Sequence, residues 1–198
     1  MHLYSVFDTS GIITTSLFLA NKYTIQSMYS AAEKCLKDGL KWAVLRKNGT
    51  QEAQFYQELG NVNKFKGDNS IALGLYLKAA DIYEARKEWA PLVICNIDIA
   101  EFYRKIGKYV YALASIKTAE AICKEYKIND FVTSIRINNR KAAIYNETNM
   151  GDSSVFYSRK ALAISRKIKD RNSEATSLNE LGFSFKNLRK PNLFLKIC

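Results

Sequence analysis

The feature that most constrains the fold of this chain is a repeat with a period of about 40 residues. Ala100 is a convenient anchor, because small residues recur in equivalent surroundings at Ala20, Gly60, Ala142 and Gly182. Other columns keep the register. Twelve residues after the anchors stand Ala32, Ala72, Ala112, Ser154 and Phe194, and three residues after them stand Tyr23, Asn63, Tyr103, Tyr145 and Phe185. Agreement of several columns over five registers predicts a repeat protein.

Each repeat is interpreted as a helical hairpin. From Asp98 to Leu113 the sequence indicates one helix, a tight turn at Gly107 and the start of a second helix. Antiparallel helices pack about 8–10 Å apart and tolerate only small side chains where they come closest, which explains the small anchors. Glycine inside a helix costs about 1 kcal/mol relative to alanine, so Gly60 needs such a packing reason.

These columns resemble the tetratricopeptide repeat family. The residues that carry the resemblance are Leu59-Gly60 with Gly67-Asp68 and Ala72, then Ile99-Ala100 with Tyr103, Gly107, Tyr109 and Ala112, and finally Leu181-Gly182 with Phe185. The resemblance implies an all-α, right-handed α-solenoid. The family's usual period is about 34 residues, and the longer period here is similar to that of repeats in bacterial signalling proteins. Repeat four matches least well, because Lys141, Ser154 and Ser158 replace apolar or larger residues.

The repeats are expected to form a single domain over residues 1–198. Their predicted bounds are about 12–46, 51–87, 91–126, 130–168 and 174–198, the last of them incomplete. Solenoids need a terminal cap with a polar outer face, whereas the last residues, from Asn192 to Cys198, are mostly apolar. We therefore expect a fragment of a longer protein whose uncapped ends favour self-association.

The sequence offers little for catalysis. Its only histidine is His2, its four cysteines lack metal-type spacing, and it has no glycine-rich phosphate loop. We therefore predict a protein that is not an enzyme, with no cofactor and no metal site. No apolar run reaches the roughly 18 residues of a membrane span. The expected location is cytoplasmic, with a periplasmic alternative if the chain belongs to a membrane sensor.

The resemblance also implies a ligand groove, because the first helix of each hairpin lines the concave surface in this family. Residues six and three before each anchor, and one and four after it, should point there. Asn and Gln amides both donate and accept hydrogen bonds, so they can pair with a peptide backbone, and lysines and arginines add positive charge. The groove candidates are Gln54, Gln57, Asn61, Lys64, Arg104, Arg136, Asn139, Arg140, Asn146, Asn179 and Lys186. The same register also includes Thr14, Leu17, Asn21, Thr24, Ile94, Ile97, Glu101, Ala143, Thr176 and Phe183. The alternative is that all of these are merely solvated helix positions.

Arg140 enters through a sharper form of this prediction. Asn61, Arg136 and Arg140 match three positions of the two-carboxylate clamp with which some members of the family grip chaperone C-termini. Gln57 and Asp98 depart from that clamp, and the carboxylate of Asp98 would repel the ligand's own.

Charge divides the chain unevenly. Residues 1–99 hold 11 Lys or Arg and 10 Asp or Glu, a balance of +1, whereas residues 100–198 hold 19 and 9, a balance of +10. Such a surface favours an acidic protein, an anionic membrane surface or nucleic acid, or serves solubility alone. The function predicted from the sequence is a non-catalytic protein- or peptide-binding scaffold, the sensory or interaction arm of a signalling regulator. The alternative is a basic solenoid that binds nucleic acid.

Overall fold

The computed structural model describes residues 9–188, and every regular element in that span is a helix. The helices are α1 (Thr9–Ile25), α2 (Tyr29–Leu45), α3 (Gly49–Lys66), α4 (Asn69–Ala85), α5 (Trp89–Lys105), α6 (Tyr109–Glu125), α7 (Phe131–Glu147), α8 (Gly151–Lys167) and α9 (Arg171–Asn187). The predicted all-α class is confirmed. Predictions concerning His2, Phe194 and the apolar end from Asn192 to Cys198 lie outside the described residues.

One turn geometry joins all the described helices. After each helix from α1 to α8 one residue takes a left-handed conformation, with φ between 54° and 87°: Ser27, Lys47, Gly67, Lys87, Gly107, Lys127, Asn149 and Lys169. The next residue donates its backbone N–H to a carbonyl five residues back, as Lys108 does to Tyr103 at 2.8 Å. This is the Schellman motif, which satisfies the free carbonyls at a helix end. Only two of the eight positions are glycine, so glycine spacing alone would have found two turns.

Contacts divide the chain into two compact units, Met1–Cys95 and Asn96–Cys198, with the boundary inside α5. In the first unit the core is apolar and partly aromatic, built on Ile13, Leu36, Phe55 and Leu59. The anchor Gly60 has the packing reason that was predicted for it, because a Cβ there would lie 2.8 Å from Tyr76 Cε1. The prediction of a single domain with five repeats stays a prediction.

In the second unit α7 packs against α8 and α9. One apolar cluster in this unit is formed by Leu162 of α8 with Leu181 and Phe185 of α9, and Ile135 and Ile144 of α7 are also buried. Five serines that face the same interior are completely buried: Ser154, Ser158, Ser165, Ser177 and Ser184. The poor match of repeat four to the family therefore corresponds to a real difference in the core.

The aromatic residues three positions after the anchors are mostly half-buried. Tyr103 is only half-buried, whereas its neighbour Phe102 is 1% exposed. Of that column only Phe185 is a fully buried ring.

Candidate functional site

The second unit presents a stripe of side chains along one face of α7 and of α9. On α7 the stripe is Arg136, Arg140, Ala143 and Glu147, and on α9 it is Thr176, Glu180, Phe183 and Asn187. Successive members are four, three and four residues apart, so each set lies on one helical face. The part of α5 in this unit adds Asp98, Glu101 and Arg104. We call these residues the α5–α7–α9 surface.

Glu101 is the centre of an ion-pair network on this surface. Its side chain is 9% exposed. Arg104 donates to it twice, from Nε at 2.8 Å and from Nη2 at 2.9 Å, and Arg140 Nη1 lies 3.1 Å from the same carboxylate. Arg104 also pairs with Glu147 of α7. The hydrogen bonds that Arg104 donates to Glu101 hold the pKa of Arg104 above its usual range, so this guanidinium stays charged.

A second pair lies beside the first. Arg136 Nη2 of α7 is 3.2 Å from Asp98 Oδ1 of α5, and the Arg136 side chain is 38% exposed. Arg136 and Arg140 are thus cations that a ligand could reach, although each already contacts one carboxylate. Asp98, which would have repelled a ligand carboxylate in a clamp, instead neutralises Arg136.

Asn146 and Glu180 connect α7 to α9. The Asn146 amide donates to the backbone carbonyl of Glu180 and to its Oε2, both at 3.2 Å. Asn187 returns a hydrogen bond to the Asn146 carbonyl at 3.0 Å. Burial raises the pKa of the Glu180 carboxyl, while the Asn146 hydrogen bond and the charges of Arg104 and Arg140 lower it.

Two pockets open on this surface and share Glu180. One, of about 280 Å³, is lined by Arg104, Ala143, Asn146, Glu147, Glu180, Phe183 and Asn187. The other, of about 210 Å³, is lined by Ile135, Arg136, Asn139, Arg140, Ser173, Thr176 and Glu180. Thr176 and Phe183 are seven residues apart on α9, which corresponds to about 10 Å. An extended segment covers that distance in about three residues.

The candidates predicted from sequence fall into three groups. Arg104, Arg136, Asn139, Arg140 and Asn146 line the two pockets, although Asn139 and Asn146 are more than nine-tenths buried. The Asn139 Oδ1 accepts a hydrogen bond from the Ser177 hydroxyl at 3.0 Å, so the Asn139 amide links α7 to α9. Asn179 and Lys186 are exposed on α9 but line neither pocket.

The remaining candidates belong to α3 in the first unit. Gln54 is exposed, Gln57 is 7% exposed, and Asn61 and Lys64 are half-buried. The Asn61 Oδ1 accepts from the Tyr76 hydroxyl at 2.7 Å and from Lys64 Nζ at 3.3 Å. These contacts within the first unit occupy the Asn61 amide. The role of all these residues as groove residues stays a prediction.

Sequence reasoning missed Glu147, Glu180 and Asn187. The register used four positions, and two of them, six before and one after the anchor, do lie on the stripe, at Arg136, Ala143, Thr176 and Phe183. The other two, three before and four after, are on α7 the buried Asn139 and Asn146. The rest of the stripe lies two before and five after the anchor, at Arg140, Glu147, Glu180 and Asn187. Extending the helical face from Thr176 in steps of four and three would have found it.

Other classes of site find no support in the described span. No three His, Cys, Asp or Glu side chains between residues 9 and 188 lie together as a metal site requires. None of the helices described there is both long enough and apolar enough to cross a membrane.

Solved structures share this fold at low sequence identity. The BtubC protein (BKLC) of P. vanneervenii matches with a TM-score of 0.79 and 15% identity, over 95% of this chain and 77% of that one. A putative kinesin light chain of Podosopora anserina with nearly identical TPR-like repeats matches with a TM-score of 0.70 and 15% identity, over 93% of this chain and 90% of that one. The predicted tetratricopeptide-like solenoid fold is thereby confirmed.

A third structure places the same fold within a larger protein. It is a signal transduction ATPase with numerous domains and a tetratricopeptide repeat sensor, from Pyrococcus horikoshii. The TM-score is 0.74 and the identity 18%, over 97% of this chain but only 30% of that one. At such identities these likenesses show the fold alone.

Sequence comparison is more specific. No curated protein matches the chain in sequence. Residues 7–131, well over half of the chain, match the family model described as soluble NSF attachment protein, SNAP. The chain belongs to the SNAP family of TPR-like helical proteins.

Proposed function

We propose that this protein is a non-catalytic scaffold that binds an extended segment of a partner protein along the α5–α7–α9 surface. The observation that carries the proposal is the pair of pockets that share Glu180 and are lined by consecutive first helices of the hairpins. Their lining offers both donors and acceptors, as an unpaired peptide backbone requires. TPR-like repeats are generally interaction scaffolds, and the SNAP family is itself described as an attachment protein.

The finer part of the proposal is a role in signalling. It is supported by the described role of the Pyrococcus horikoshii neighbour, in which repeats of this fold are a sensor. In this proposal the partner segment binds to the α5–α7–α9 surface, and its binding changes the activity of an effector. The groove candidates Arg104, Arg136 and Arg140 would position the segment from one side, and α9 would position it from the other.

The experiment uses peptides selected by the protein itself. A display library of random short peptides is panned against the wild-type chain, and the affinity of each selected peptide is measured by fluorescence anisotropy. Thr176 is exposed and lines one pocket, so Thr176→Trp fills that pocket from the surface. Ala175 is exposed on the same helix but lines neither pocket, so Ala175→Trp is the matched control.

We expect Thr176→Trp to weaken the selected peptides by at least about tenfold, or about 1.4 kcal/mol. Ala175→Trp should leave their affinity unchanged. If panning yields no specific peptide, or if the two variants weaken binding equally, the proposed surface is wrong.

A second function has one observation in its favour. Exposed basic side chains follow one face of α8, where Arg159 and Lys160 precede Lys167 by two turns. Such a row fits a phosphate backbone. In that case binding to single- or double-stranded nucleic acid would fall steeply with salt and be lost in Lys160→Glu with Lys167→Glu. An affinity indifferent to salt and to this pair of changes would exclude it.

A further inference from the structure

Among the acidic side chains of the α5–α7–α9 surface, Glu180 is the one that forms no salt bridge with another described residue. Asp98 pairs with Arg136, Glu101 pairs with Arg104 and Arg140, and Glu147 pairs with Arg104. None of the ion pairs among the described residues includes Glu180, although Glu180 lines both pockets. Its only side-chain partner there is the neutral amide of Asn146.

Asn146 holds Glu180 in place at the larger pocket, which both residues line. Its Nδ2 must face Glu180, because both atoms it contacts there are acceptors. The amide oxygen Oδ1 then points the other way, where it is buried and has no hydrogen-bond partner among the described residues. Asn146 therefore positions the Glu180 carboxylate, and its own oxygen lies out of a ligand's reach.

Phe183 completes the pocket. It follows Glu180 by three residues, lines the same pocket and is 50% exposed, so a ligand can reach its ring. The face of an aromatic ring attracts cations, and arginine guanidinium groups use this contact most often. A carboxylate beside an exposed aromatic face favours a positively charged group, and a flat guanidinium rich in N–H donors suits both.

We propose that the pocket formed by Asn146, Glu180 and Phe183 binds the side chain of an arginine or lysine in the extended partner segment. The inference rests on the proposed function and names the chemistry of the ligand. The bound cation would pair with the Glu180 carboxylate and lie against the Phe183 ring.

Positive charges of the protein itself could oppose this assignment. The charges of Arg104 and Arg140 both act on Glu180. Arg104, however, already contacts both Glu101 oxygens and Glu147, and Arg140 is paired with Glu101. The chain carries a net charge of +11, yet at physiological salt charges more than about 8 Å away are largely screened. The net charge of the chain favours an acidic ligand in general. At this pocket, however, the nearby side chains determine which ligand charge is preferred.

The test uses a single residue as the probe. N-acetyl-arginine methylamide is titrated into the labelled chain, and amide chemical shifts are followed by NMR. The control ligand is N-acetyl-citrulline methylamide, which has nearly the same shape but no charge. We expect saturable shifts at Asn146, Glu180 and Phe183 with the arginine compound, and at least about a tenfold weaker response with the citrulline compound. Equal responses, or no saturable shift with arginine, would overturn the proposal.

Two variants locate the response. Glu180→Gln should abolish the preference for arginine over citrulline, whereas Glu174→Gln, on the same helix but paired with Arg166, should preserve it. Phe183→Ala leaves the carboxylate in place and changes an exposed ring, so it should fold normally and bind arginine several-fold more weakly. Retention of full arginine binding in both Glu180→Gln and Phe183→Ala would contradict the assignment.

The selected peptides distinguish this inference from the proposed function. If Thr176→Trp blocks them but they carry no enrichment of arginine or lysine and bind Glu180→Gln unchanged, only the basic-residue inference fails. If Thr176→Trp blocks none of them, the proposed function fails as well.

Discussion

The two units of this protein solve the same packing problem with different chemistry. In the first unit a ring fills the space that a glycine leaves, as Phe55 does against Gly39. In the second unit the small positions are serines, whose hydroxyls are buried and mostly bonded to the backbone. The small-residue columns of these repeats therefore require a side chain of small volume, but that side chain can be either apolar or polar. The first unit should therefore be sensitive to volume and the second to hydrogen bonding.

The largest effect should follow the loss of a ring from the first unit. Phe55 is completely buried, so Phe55→Ala should lower the free energy of unfolding by about 3–5 kcal/mol. Chemical denaturation measures it. Phe65 on the same helix is 54% exposed, and Phe65→Ala is the control, with an expected loss below about 1 kcal/mol. Similar losses for the two variants would show that the ring at 55 is not a core residue.

A pair of glycine changes tests the role of volume. A Cβ at Gly39 would lie 2.4 Å from Phe55 Cζ, whereas a Cβ at Gly74 would meet nothing within 4 Å. Gly39→Ala should cost about 1–3 kcal/mol through overpacking. Gly74→Ala should stabilise by about 0.5–1 kcal/mol, because alanine is the better helix former. Thermal unfolding of both variants gives the signs, and stabilisation by Gly39→Ala would refute the packing described here.

A pair of serine changes tests the second unit. Ser154 donates to the Ala142 carbonyl at 2.9 Å and lies 2.6 Å from the Ser184 hydroxyl, whereas the buried Ser158 hydroxyl has no partner. We expect Ser154→Ala to cost about 1 kcal/mol and Ser158→Ala to stabilise by about as much. Urea denaturation compares them. If both changes destabilise equally, hydrogen bonding does not distinguish the two sites.

The smallest effects are those of pH, and they should have opposite signs in the two units. Hydrogen bonds from Lys37 and Lys66 lower the pKa of Glu33 below 4.5. Its contribution to stability is therefore present above pH 4.5 and is lost as the pH falls through the lowered value. Burial raises the pKa of Glu180 above 4.5. Its contribution is therefore full below pH 4.5 and is lost as the pH rises through the raised value.

Glutamine variants measure these two contributions. Glu33→Gln should lose roughly 0.5 kcal/mol at neutral pH and match the wild type in acid. Glu180→Gln should change the free energy of unfolding by no more than about 0.5 kcal/mol. The stability of wild type relative to this variant should be higher in acid than at neutral pH. Denaturant midpoints from pH 3 to pH 8 provide the test. A pH dependence of the same sign at both sites would contradict the environments assigned to them.

Much of the fold could be predicted from the sequence because the repeat is local. The anchors, the columns of alanine and the turn at Gly107 depend on contacts within one hairpin, so spacing alone reveals them. Six of the eight turns were harder to predict from the sequence, because lysine, serine or asparagine occupies the left-handed position in place of glycine. There the Schellman bonds hold the conformation, and no residue type indicates it.

The candidate site was less predictable because its geometry depends on partners distant in the sequence. Arg104 pairs with Glu147, which lies in the next hairpin, and whether an amide faces the ligand or the neighbouring helix is set by how α7 meets α9. The sequence identified repeat four as exceptional through its serines, but not that Ser154 would find a partner and Ser158 would not. The SNAP family itself was not recognised from the repeat columns, which are common to many TPR-like proteins.

The most direct test of the central claim is site-specific photocrosslinking with a selected peptide. A benzoyl-phenylalanine replaces Thr176 on the α5–α7–α9 surface in one variant and the exposed Ala163 of α8 in another. The peptide is added, the sample is irradiated, and the crosslinked product is mapped by mass spectrometry. Our account predicts that the peptide crosslinks to the variant at 176 and not to the variant at 163. Crosslinking only from position 163 would place the ligand on the basic face of α8 and contradict the account.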